Sequence, residues 1–565
     1  MTNPTIHQTP PRPAPPGQAW SGLEGLMSPE MLGLVGIMGA FAFAASQGSK
    51  KGILSDGRFA NFGEISKARR FGKKQVREAV HNQAALYLGS DQTLLLPDVQ
   101  RSMAVIGSSG SGKTDSVIDP AIDSAIEQGW TSLIYDVKGT LMKRHAAYAA
   151  AHGYDVYVFA PGFAYSDCLN ILDFMSDAVD GAMASQIARV LNANLKPIGA
   201  REDGFFGPAG DALLKAIFMM AKGSIYPDLL GAWELLSLPD LAQRFLGAKE
   251  HGAINSWIRA AANGLMSVAN APETVSGIVG SAVNSFGRLI DTALLPSLLH
   301  STIPLDLPGK QIIFFQIDEQ REAETAPLVA MAMHMLVTRN LNAQVPRKVP
   351  FFIGLDEFTS IRLPEIEAWI NRFREYGMVL MLGYQSDSQL RMRYSSDYAQ
   401  ALIASCGTKA IFSPGPGNTA VSEAWSKACG DKEVLHRTKS RGKGGTSTTE
   451  HLTKVPLLAA SAIERLKAGE CIIFNPGYDY RPYRLRVKRR KKDLQGRQTC
   501  IALWEKPEVG LKQKLIERSR QRMEDTEDAE SVIEYLNGEL NNRAVYADVI
   551  LPSVAELEAA QTHAR

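Results

Sequence analysis

The chain has 565 residues, of which 45% are hydrophobic and 21% charged, and these proportions are ordinary for a protein with a buried core. Its 61 Lys and Arg residues nearly balance its 59 Asp and Glu residues, which argues against a globally basic nucleic-acid-binding protein but permits local basic patches. The 48 glycines and 29 prolines exclude collagen-like and wholly disordered classes, and the five cysteines form no C-x-x-C pair that would indicate a zinc ribbon.

The N-terminal region combines a Pro-rich tail with an apolar run. Residues 1–28 are predicted to be flexible, and residues 29–50 to form a membrane anchor around the uncharged stretch Met31–Ser46. Sixteen helical residues rise about 24 Å, which is short of the roughly 30 Å hydrocarbon core. The basic residues that follow the run predict a cytoplasmic body. A buried soluble helix and a signal peptide are the alternatives, and the signal peptide lacks a basic segment before the run.

The body of the chain alternates apolar strands with helical patterns, which predicts an α/β fold with a doubly wound, mostly parallel sheet. The first part of this α/β domain is residues 51–176 and the second is 308–490. Residues 177–307 show helical spacing and predict an inserted all-α domain. The predicted strands are Met103–Gly107, Ser132–Asp136, Asp155–Pro161, Gln311–Ile317, Pro350–Asp356, Met378–Gln385, Thr408–Ser413 and Glu470–Pro476.

Two segments late in the chain carry no strand prediction. Residues His436–Lys454 are basic and rich in Gly, Ser and Thr, which predicts a mobile loop. Residues 491–565 are expected to form a polar C-terminal tail. Within that tail, Val532, Ile533, Leu536 and Leu540 lie at helical spacing, which predicts a short amphipathic helix that docks a substrate or accessory protein.

The motif GSSGSGKT follows the first predicted strand and matches G-x-x-x-x-G-K-[ST]. Glycines allow the backbone N–H groups to surround phosphate, and the following helix adds its positive end. Lys113 is expected to contact the β and γ phosphates, and Thr114 to bind Mg²⁺. The predicted nucleotide-binding residues of the loop are Gly107, Ser108, Ser109, Gly110, Ser111, Gly112, Lys113 and Thr114.

Other polar residues at strand ends complete the predicted site. Asp356 and Glu357 end an apolar strand, and neighbouring strand residues point to opposite faces, so the two carboxylates cannot share one role unless the strand ends between them. In the usual division of roles, Asp356 holds Mg²⁺ while Glu357 activates the attacking water. Gln385 ends a strand and is predicted to sense the γ-phosphate, unless it is a plain polar strand end. Arg374 is a candidate arginine finger or a solvated arginine, and Asp136 a second group near the nucleotide or part of a turn.

These motifs together resemble the type IV secretion coupling proteins of the TraG/TraD group, which are conjugative ATPases. The resemblance rests on GSSGSGKT, YDVKGTL, VFAP, GLDEF and REYG followed by GYQSDSQL, in consistent order over roughly residues 60–490. Val137 and Thr140 replace the proline and glutamate usual in the family's D-P-K-G-E motif. Only one apolar N-terminal segment occurs where the family usually has two.

The resemblance implies a homo-hexameric RecA-like motor that hydrolyses ATP with Mg²⁺ at the bacterial inner membrane. Its partners would be single-stranded DNA, a relaxase or effector protein, and other type IV secretion components. Carried over by position, Lys113, Glu357, Arg374 and Gln385 are catalytic, and Thr114 and Asp356 hold the metal. Two alternatives are a docking receptor that uses ATP only for conformational change and an FtsK-like pump for double-stranded DNA.

Overall fold

The computed structural model describes residues 55–89, 94–195, 206–344, 346–442, 445–487, 491–506, 510–520 and 529–564. The predicted Pro-rich tail and anchor helix lie outside these ranges. Within them, no helix combines the length and the apolar character that crossing a bilayer requires. The chain divides into two compact units. Among the described residues, the larger contains those of 58–430 and 456–564, and the smaller contains 55–57 and those of 431–455.

The strands of the described residues follow the predicted order and add several that the sequence pattern did not reveal. They are β1 Leu86–Leu88, β2 Leu94–Leu96, β3 Met103–Ile106, β4 Thr131–Tyr135, β5 Asp155–Phe159, β6 Gln311–Phe315, β7 Phe351–Leu355, β8 Met378–Tyr384, β9 Thr408–Ile411, β10 Asp431–Gly442, β11 Gly445–Pro456, β12 Glu470–Phe474 and β13 Tyr483–Arg486.

Helices occupy most of the remaining described chain. They are α1 Phe62–Glu78, α2 Asp119–Glu127, α3 Thr140–Ala151, α4 Gly181–Leu195, α5 Phe206–Lys222, α6 Leu229–Leu236, α7 Leu241–Glu250, α8 Ser256–Ser267, α9 Pro272–Phe286, α10 Glu322–Asn340, α11 Ile366–Arg372, α12 Asp387–Tyr394, α13 Ser396–Ser405, α14 Thr419–Cys429, α15 Ala460–Glu464, α16 Lys491–Glu505, α17 Leu511–Arg520, α18 Ala529–Ile550 and α19 Val554–Ala564.

A nine-stranded sheet forms the centre of the larger unit, in the order β13-β12-β9-β3-β8-β7-β4-β6-β5. The strands from β9 to β5 in this order pair in parallel, whereas β12 pairs antiparallel with both of its neighbours. All eight predicted strands are present, and β8 lies beside β7. The prediction of a mostly parallel α/β sheet is therefore correct.

The sheet is buried on both faces because its side chains alternate between two cores. One core takes Ile106, Leu355 and Leu382 and continues into the helices between β5 and β6. The other takes Val105, Ile134 and Met381 and continues into α1, α2 and α3. Helices therefore cover both faces, as a doubly wound fold requires.

The segment between β5 and β6 is helical, as the apolar spacing predicted. Helices α4 to α9 lie in it, and no strand occurs between residues 177 and 307 in the portion that the structure describes. The side chains of Leu191, Phe218 and Phe286 are fully buried and belong to the same core as the sheet residues beneath α10. The inserted helices therefore share an apolar core with one face of the sheet.

The predicted mobile loop His436–Lys454 is instead a strand pair, β10 and β11, in the smaller unit. The β-branched residues Val434, Thr448, Thr449 and Thr453 favour extended backbone. Glycines and basic residues dominate the composition of the segment, so the preference of its β-branched residues for extended backbone did not stand out. The prediction was wrong because composition alone does not separate a hairpin from a loop.

The segment predicted to be a polar tail instead forms helices that pack on the body of the chain. Helices α16 and α18 pack against α3 and α6, and Trp504 is 1% exposed. Leu536 packs with Leu230 and Leu299 of the same chain. The apolar residues of the tail are few, but they meet a surface that the body already provides. The predicted amphipathic helix therefore docks on its own chain.

An ion pair between Arg543 and Asp228 joins α18 to the start of α6 at 2.6 Å, and both side chains are about 95% buried (4% and 5% exposed). Replacing Arg543 by alanine leaves a buried carboxylate unpaired, so we expect the free energy of unfolding to fall by about 3–5 kcal/mol. Urea denaturation measures this loss. The control is Arg339→Ala, whose partner Asp306 is 71% exposed, and it should cost less than about 1 kcal/mol. Equal losses of unfolding free energy in the two variants would contradict a larger contribution from the buried pair.

Candidate nucleotide-binding site

The carboxyl ends of four adjacent parallel strands bring the predicted site residues together. Ile106 of β3 aligns with Tyr384 of β8, and Leu355 of β7 aligns with Leu382 of β8 and with Tyr135 of β4. The next residues along these strands are the glycine-rich loop, Gln385, Asp356 and Asp136. Ligands of open α/β sheets bind at this edge, so the topology places the predicted groups at one site.

Two glycines give the loop between β3 and α2 its shape. Gly110 and Gly112 have φ angles of +74° and +90°, a region that residues with a Cβ rarely adopt. A Cβ on Gly112 would also lie 2.6 Å from the backbone N of Gly469. The N–H of Gly469 donates to the carbonyl oxygen of Ser111 at 2.9 Å. Only glycine at residue 112 allows the loop to approach this second segment so closely.

A further loop holds the other end of the phosphate-binding loop. The carbonyl oxygen of Ser413 accepts from the Ser108 N–H at 2.9 Å and from the Ser108 Oγ at 3.0 Å. Ser413 and Gly469 were not among the predicted site residues. The sequence signal for Ser413 was the turn-forming stretch Pro414–Gly417, which follows β9, and β9 adjoins β3. The loop geometry is therefore set by contacts far away in sequence.

The side chain of Lys113 lies inside the loop. Its Nζ donates to the carbonyl oxygens of Gly107 at 2.6 Å and Ser108 at 3.3 Å. Burial lowers the pKa of Lys113, and the carboxylates of Asp356 and Glu357 partly offset this effect. A cation at the centre of a glycine-rich loop is suited to phosphate oxygens.

Thr114 and Asp356 are the residues suited to a divalent cation. The Thr114 hydroxyl donates to Asp356 Oδ2 at 3.4 Å. Burial raises the pKa of Asp356, and Lys113 acts in the opposite direction. No group of three or more His, Cys, Asp or Glu side chains that suits a metal occurs among the described residues. Hard oxygen ligands fit Mg²⁺, which commonly takes few protein ligands and completes its shell with phosphate and water.

The two carboxylates of the acidic pair separate because the strand ends beside them, and not through alternation of faces within a strand. The Asp356 N–H still donates to Tyr135 O at 3.1 Å, in line with the sheet, whereas Glu357 adopts a left-handed conformation with a φ of +54°. The chain therefore turns between the two carboxylates. Glu357 Oε1 accepts from Gln385 Nε2 at 3.2 Å, so the predicted base and the predicted phosphate sensor touch across β7 and β8.

Asp136 lies at the same edge but points to α3. Its Oδ2 accepts from the Met142 N–H at 2.9 Å, and helix N-termini favour a negative charge. Burial raises the pKa of Asp136 to about 6, although the backbone N–H of Met142 acts in the opposite direction, and the nearby Asp356 raises it further. Asp136 therefore shapes the first turn of α3 next to the site.

Arg374 lies at the other edge of the sheet. It is exposed and precedes β8, whose seven residues separate it from Gln385. Seven strand residues span roughly 20 Å or more. Arg374 therefore cannot meet the loop of its own chain.

A buried charged cluster behind the loop was not predicted. His145 of α3 is 1% exposed and lies between two carboxylates of α2, with its Nε2 3.0 Å from Asp119 Oδ1 and its Nδ1 3.0 Å from Asp123 Oδ1. Arg144 Nη1 also contacts Asp119 at 2.7 Å. Burial opposes the imidazolium form, but the carboxylates of Asp123 and Asp119 outweigh burial and raise the pKa of His145 to about 9.

The shifted pKa predicts a pH-dependent stability. An unfolded histidine titrates near 6.5, so the contribution of His145 is fully present below about pH 6.5 and is lost as the pH rises through about 9. The loss is on the order of 3 kcal/mol. Urea denaturation between these pH values should show this decline in the native protein and a flatter profile in His145→Gln. An identical decline in the variant would assign the pH effect to other groups.

A glycine-rich loop between a strand and a helix, near a strand that is followed by two carboxylates, fits a P-loop nucleotide-binding protein of the α/β class. A family model described as type IV secretory system conjugative DNA transfer matches residues 58–486. The chain therefore belongs to this family, and the resemblance found in its motifs is confirmed.

Solved structures of the bacterial conjugative coupling protein TrwB share this fold. The TrwB complex with ADP and Mg²⁺ is 17% identical, with a TM-score of 0.54 over 74% of this chain and 93% of that chain. The TrwB complex with the ATP analogue ADPNP is 16% identical, with a TM-score of 0.53 over 74% of this chain and 92% of that chain. A search of curated proteins finds no significant match.

Proposed function

We propose that the protein is an ATP-hydrolysing coupling protein that moves single-stranded DNA, with its relaxase or another protein substrate, to a type IV secretion channel. The observation that carries this proposal is the meeting of Lys113, Asp356, Glu357 and Gln385 at one sheet edge. In the proposed assembly, six RecA-like chains form a ring at the bacterial inner membrane with the main body in the cytoplasm. Membership of the conjugative DNA transfer family supports the substrate class.

The proposed reaction is hydrolysis of the γ-phosphate of ATP. Mg²⁺ would supply positive charge next to the phosphate oxygens when held by Thr114 and Asp356. Lys113 neutralises negative charge on the phosphates, and the loop N–H groups orient them. Glu357 accepts the proton of the attacking water, and Gln385 holds the Glu357 carboxylate in place through its amide. TrwB has been solved with an ATP analogue and with ADP and Mg²⁺, which supports this assignment of the ligands.

Turnover of ATP by the purified full chain tests the proposal directly. We expect hydrolysis that requires Mg²⁺ and is stimulated by single-stranded DNA more than by a duplex of equal length. DNA binding should weaken as salt rises, because salt competes with contacts to phosphate. It should not depend on base sequence, because phosphate contacts carry no sequence information. Hydrolysis without any DNA effect would favour a docking receptor, and preferential stimulation by duplex would favour a double-stranded DNA pump.

The role of Glu357 gives a separate prediction. Glu357→Gln keeps the size of the side chain and removes its basicity, so nucleotide should still bind while hydrolysis falls by about a hundredfold or more. Binding of a fluorescent ATP analogue and release of phosphate measure the two steps. Glu423, exposed on α14, gives the matched control Glu423→Gln, which should retain both. Loss of nucleotide binding in Glu357→Gln would contradict a role confined to water activation.

A further inference from the structure

Helix α1 carries a row of cations on its outer side. Its inner side packs against the body through Ala68, Gly72 and Gln75, which are buried at intervals of four and three residues. A Cβ on Gly72 would lie 3.2 Å from Leu95 Cβ, so the helix lies directly on β2. The opposite side holds the basic strip of α1, which consists of the exposed residues Lys67, Arg70, Lys73, Lys74 and Arg77.

The strip concentrates positive charges on one side of the helix. Neighbours three and four residues apart, such as Lys67 with Arg70 and Arg70 with Lys74, lie side by side on a helix and repel each other. Acidic compensation is sparse: Glu78 lies 3.9 Å from Lys74, and Glu64 pairs with Arg58 outside the helix. Such a row weakens the isolated helix, so a polyanionic partner would relieve the repulsion.

Exposed phenylalanines adjoin the strip. Phe62 is 86% exposed at the start of α1, and Phe71 is 41% exposed beside Lys67 and Lys74. Phe62 and Phe71 lie nine residues apart on opposite borders of the strip, so the cations carry the contact. Cations clustered on an exposed helix favour the headgroups of an anionic membrane. Single-stranded nucleic acid is instead commonly held in a positively charged groove, whereas this strip lies on the convex surface of a single helix.

The location of α1 is compatible with a membrane contact. Ala68 packs against Gly477, which follows β12 at the edge where the parallel strands begin. The nucleotide site occupies the opposite edge. In the sequence, residues 47–61 alone separate α1 from the apolar run Met31–Ser46, and such a linker extends at most about 50 Å.

We propose that the basic strip of α1 binds the anionic headgroups of a phospholipid bilayer. The proposal rests on the membrane location within the proposed function. It adds a second contact besides the predicted anchor. Each cation next to an anionic surface contributes about fivefold to such binding.

The test uses the full chain reconstituted in lipid nanodiscs. The native cysteines are buried, so a polarity-sensitive dye attached to Ser66→Cys, which lies on the side of the strip, reports contact with lipid. We compare discs of phosphatidylcholine with discs that contain about one third phosphatidylglycerol. We expect a blue shift of the dye only in the anionic discs, and its reversal in about 0.5 M NaCl because salt screens exposed charges.

Two variants separate the effect of positive charge from that of the particular side chain that carries it. Replacing the five strip residues by glutamine should abolish the shift, whereas Arg70→Lys with Arg77→Lys should retain it. A matched control removes exposed cations elsewhere and should leave the shift unchanged: Lys249→Gln, Arg259→Gln, Lys348→Gln, Lys427→Gln and Lys514→Gln.

Two outcomes would overturn the proposal. One is an equal shift in neutral and anionic discs. The other is a glutamine variant that keeps the lipid response but loses more than tenfold in affinity for single-stranded DNA, which would assign the strip to nucleic acid. ATP hydrolysis is measured on the same samples. A native protein that shows the lipid shift without hydrolysing ATP would contradict the proposed function and leave the lipid contact intact.

Discussion

Replacing Lys113 by alanine is expected to abolish ATP hydrolysis and DNA transfer. The ammonium lies inside the glycine-rich loop, where it contacts the carbonyls of Gly107 and Ser108. Phosphate bound there would lose its nearest positive charge, and one such interaction contributes about a hundredfold to a thousandfold in rate. Phosphate release by the purified protein and transfer in cells measure the two effects. Single-stranded DNA should still bind without nucleotide, because the substitution removes one buried lysine and leaves the exposed cations of the chain in place.

The controls for Lys113 separate charge from folding. Lys113→Gln retains an amide donor for the loop carbonyls, so the loop should keep its shape while hydrolysis remains lost. Lys143→Ala removes a lysine whose ion pair with Glu505 is about half exposed, and its hydrolysis should be normal. Native hydrolysis by Lys113→Ala would remove the main support for an ATP-driven motor.

The strands and the nucleotide loop could be predicted because their signals are local. Each buried parallel strand is a continuous apolar run, and the loop needs glycine for its positive φ angles. The residues at the strand ends then follow from topology, since the carboxyl ends of parallel strands share one edge. Asp356, Glu357 and Gln385 were placed correctly in this way.

Contacts between distant residues could not be predicted. Ser413 and Gly469 hold the loop through backbone groups, and a backbone contact leaves little trace in residue type. His145 was missed because a histidine on a helix acquires its two carboxylates only when α2 and α3 pack. The C-terminal helices were taken for a tail because Arg543 and its partner Asp228 are 315 residues apart in the chain.

Arg374 is expected to act on the nucleotide of a neighbouring chain in the proposed ring. Within one chain it lies at the sheet edge opposite the loop, and in a head-to-tail ring each subunit presents one edge to the site of the next. Arginine delivered in this way stabilises charge on the transferring phosphoryl group, and its loss typically lowers the rate by about a thousandfold or more. Arg374→Ala should therefore bind nucleotide and fail to hydrolyse it.

Mixing two inactive variants tests delivery from one subunit to the next. Arg374→Ala subunits keep an intact loop and Lys113→Ala subunits keep an intact arginine, so some junctions in mixed rings combine both. At equal amounts and random assembly, about a quarter of the junctions are complete, and turnover should approach that fraction of the native rate if the sites act independently. Mixing Lys113→Ala with Glu357→Gln is the control. If Lys113 and Glu357 act in one site of one chain, no junction regains a complete site, and turnover should stay absent. Failure of the first mixture at every ratio, in rings shown to contain both variants, would contradict the role of Arg374 in a neighbour's site.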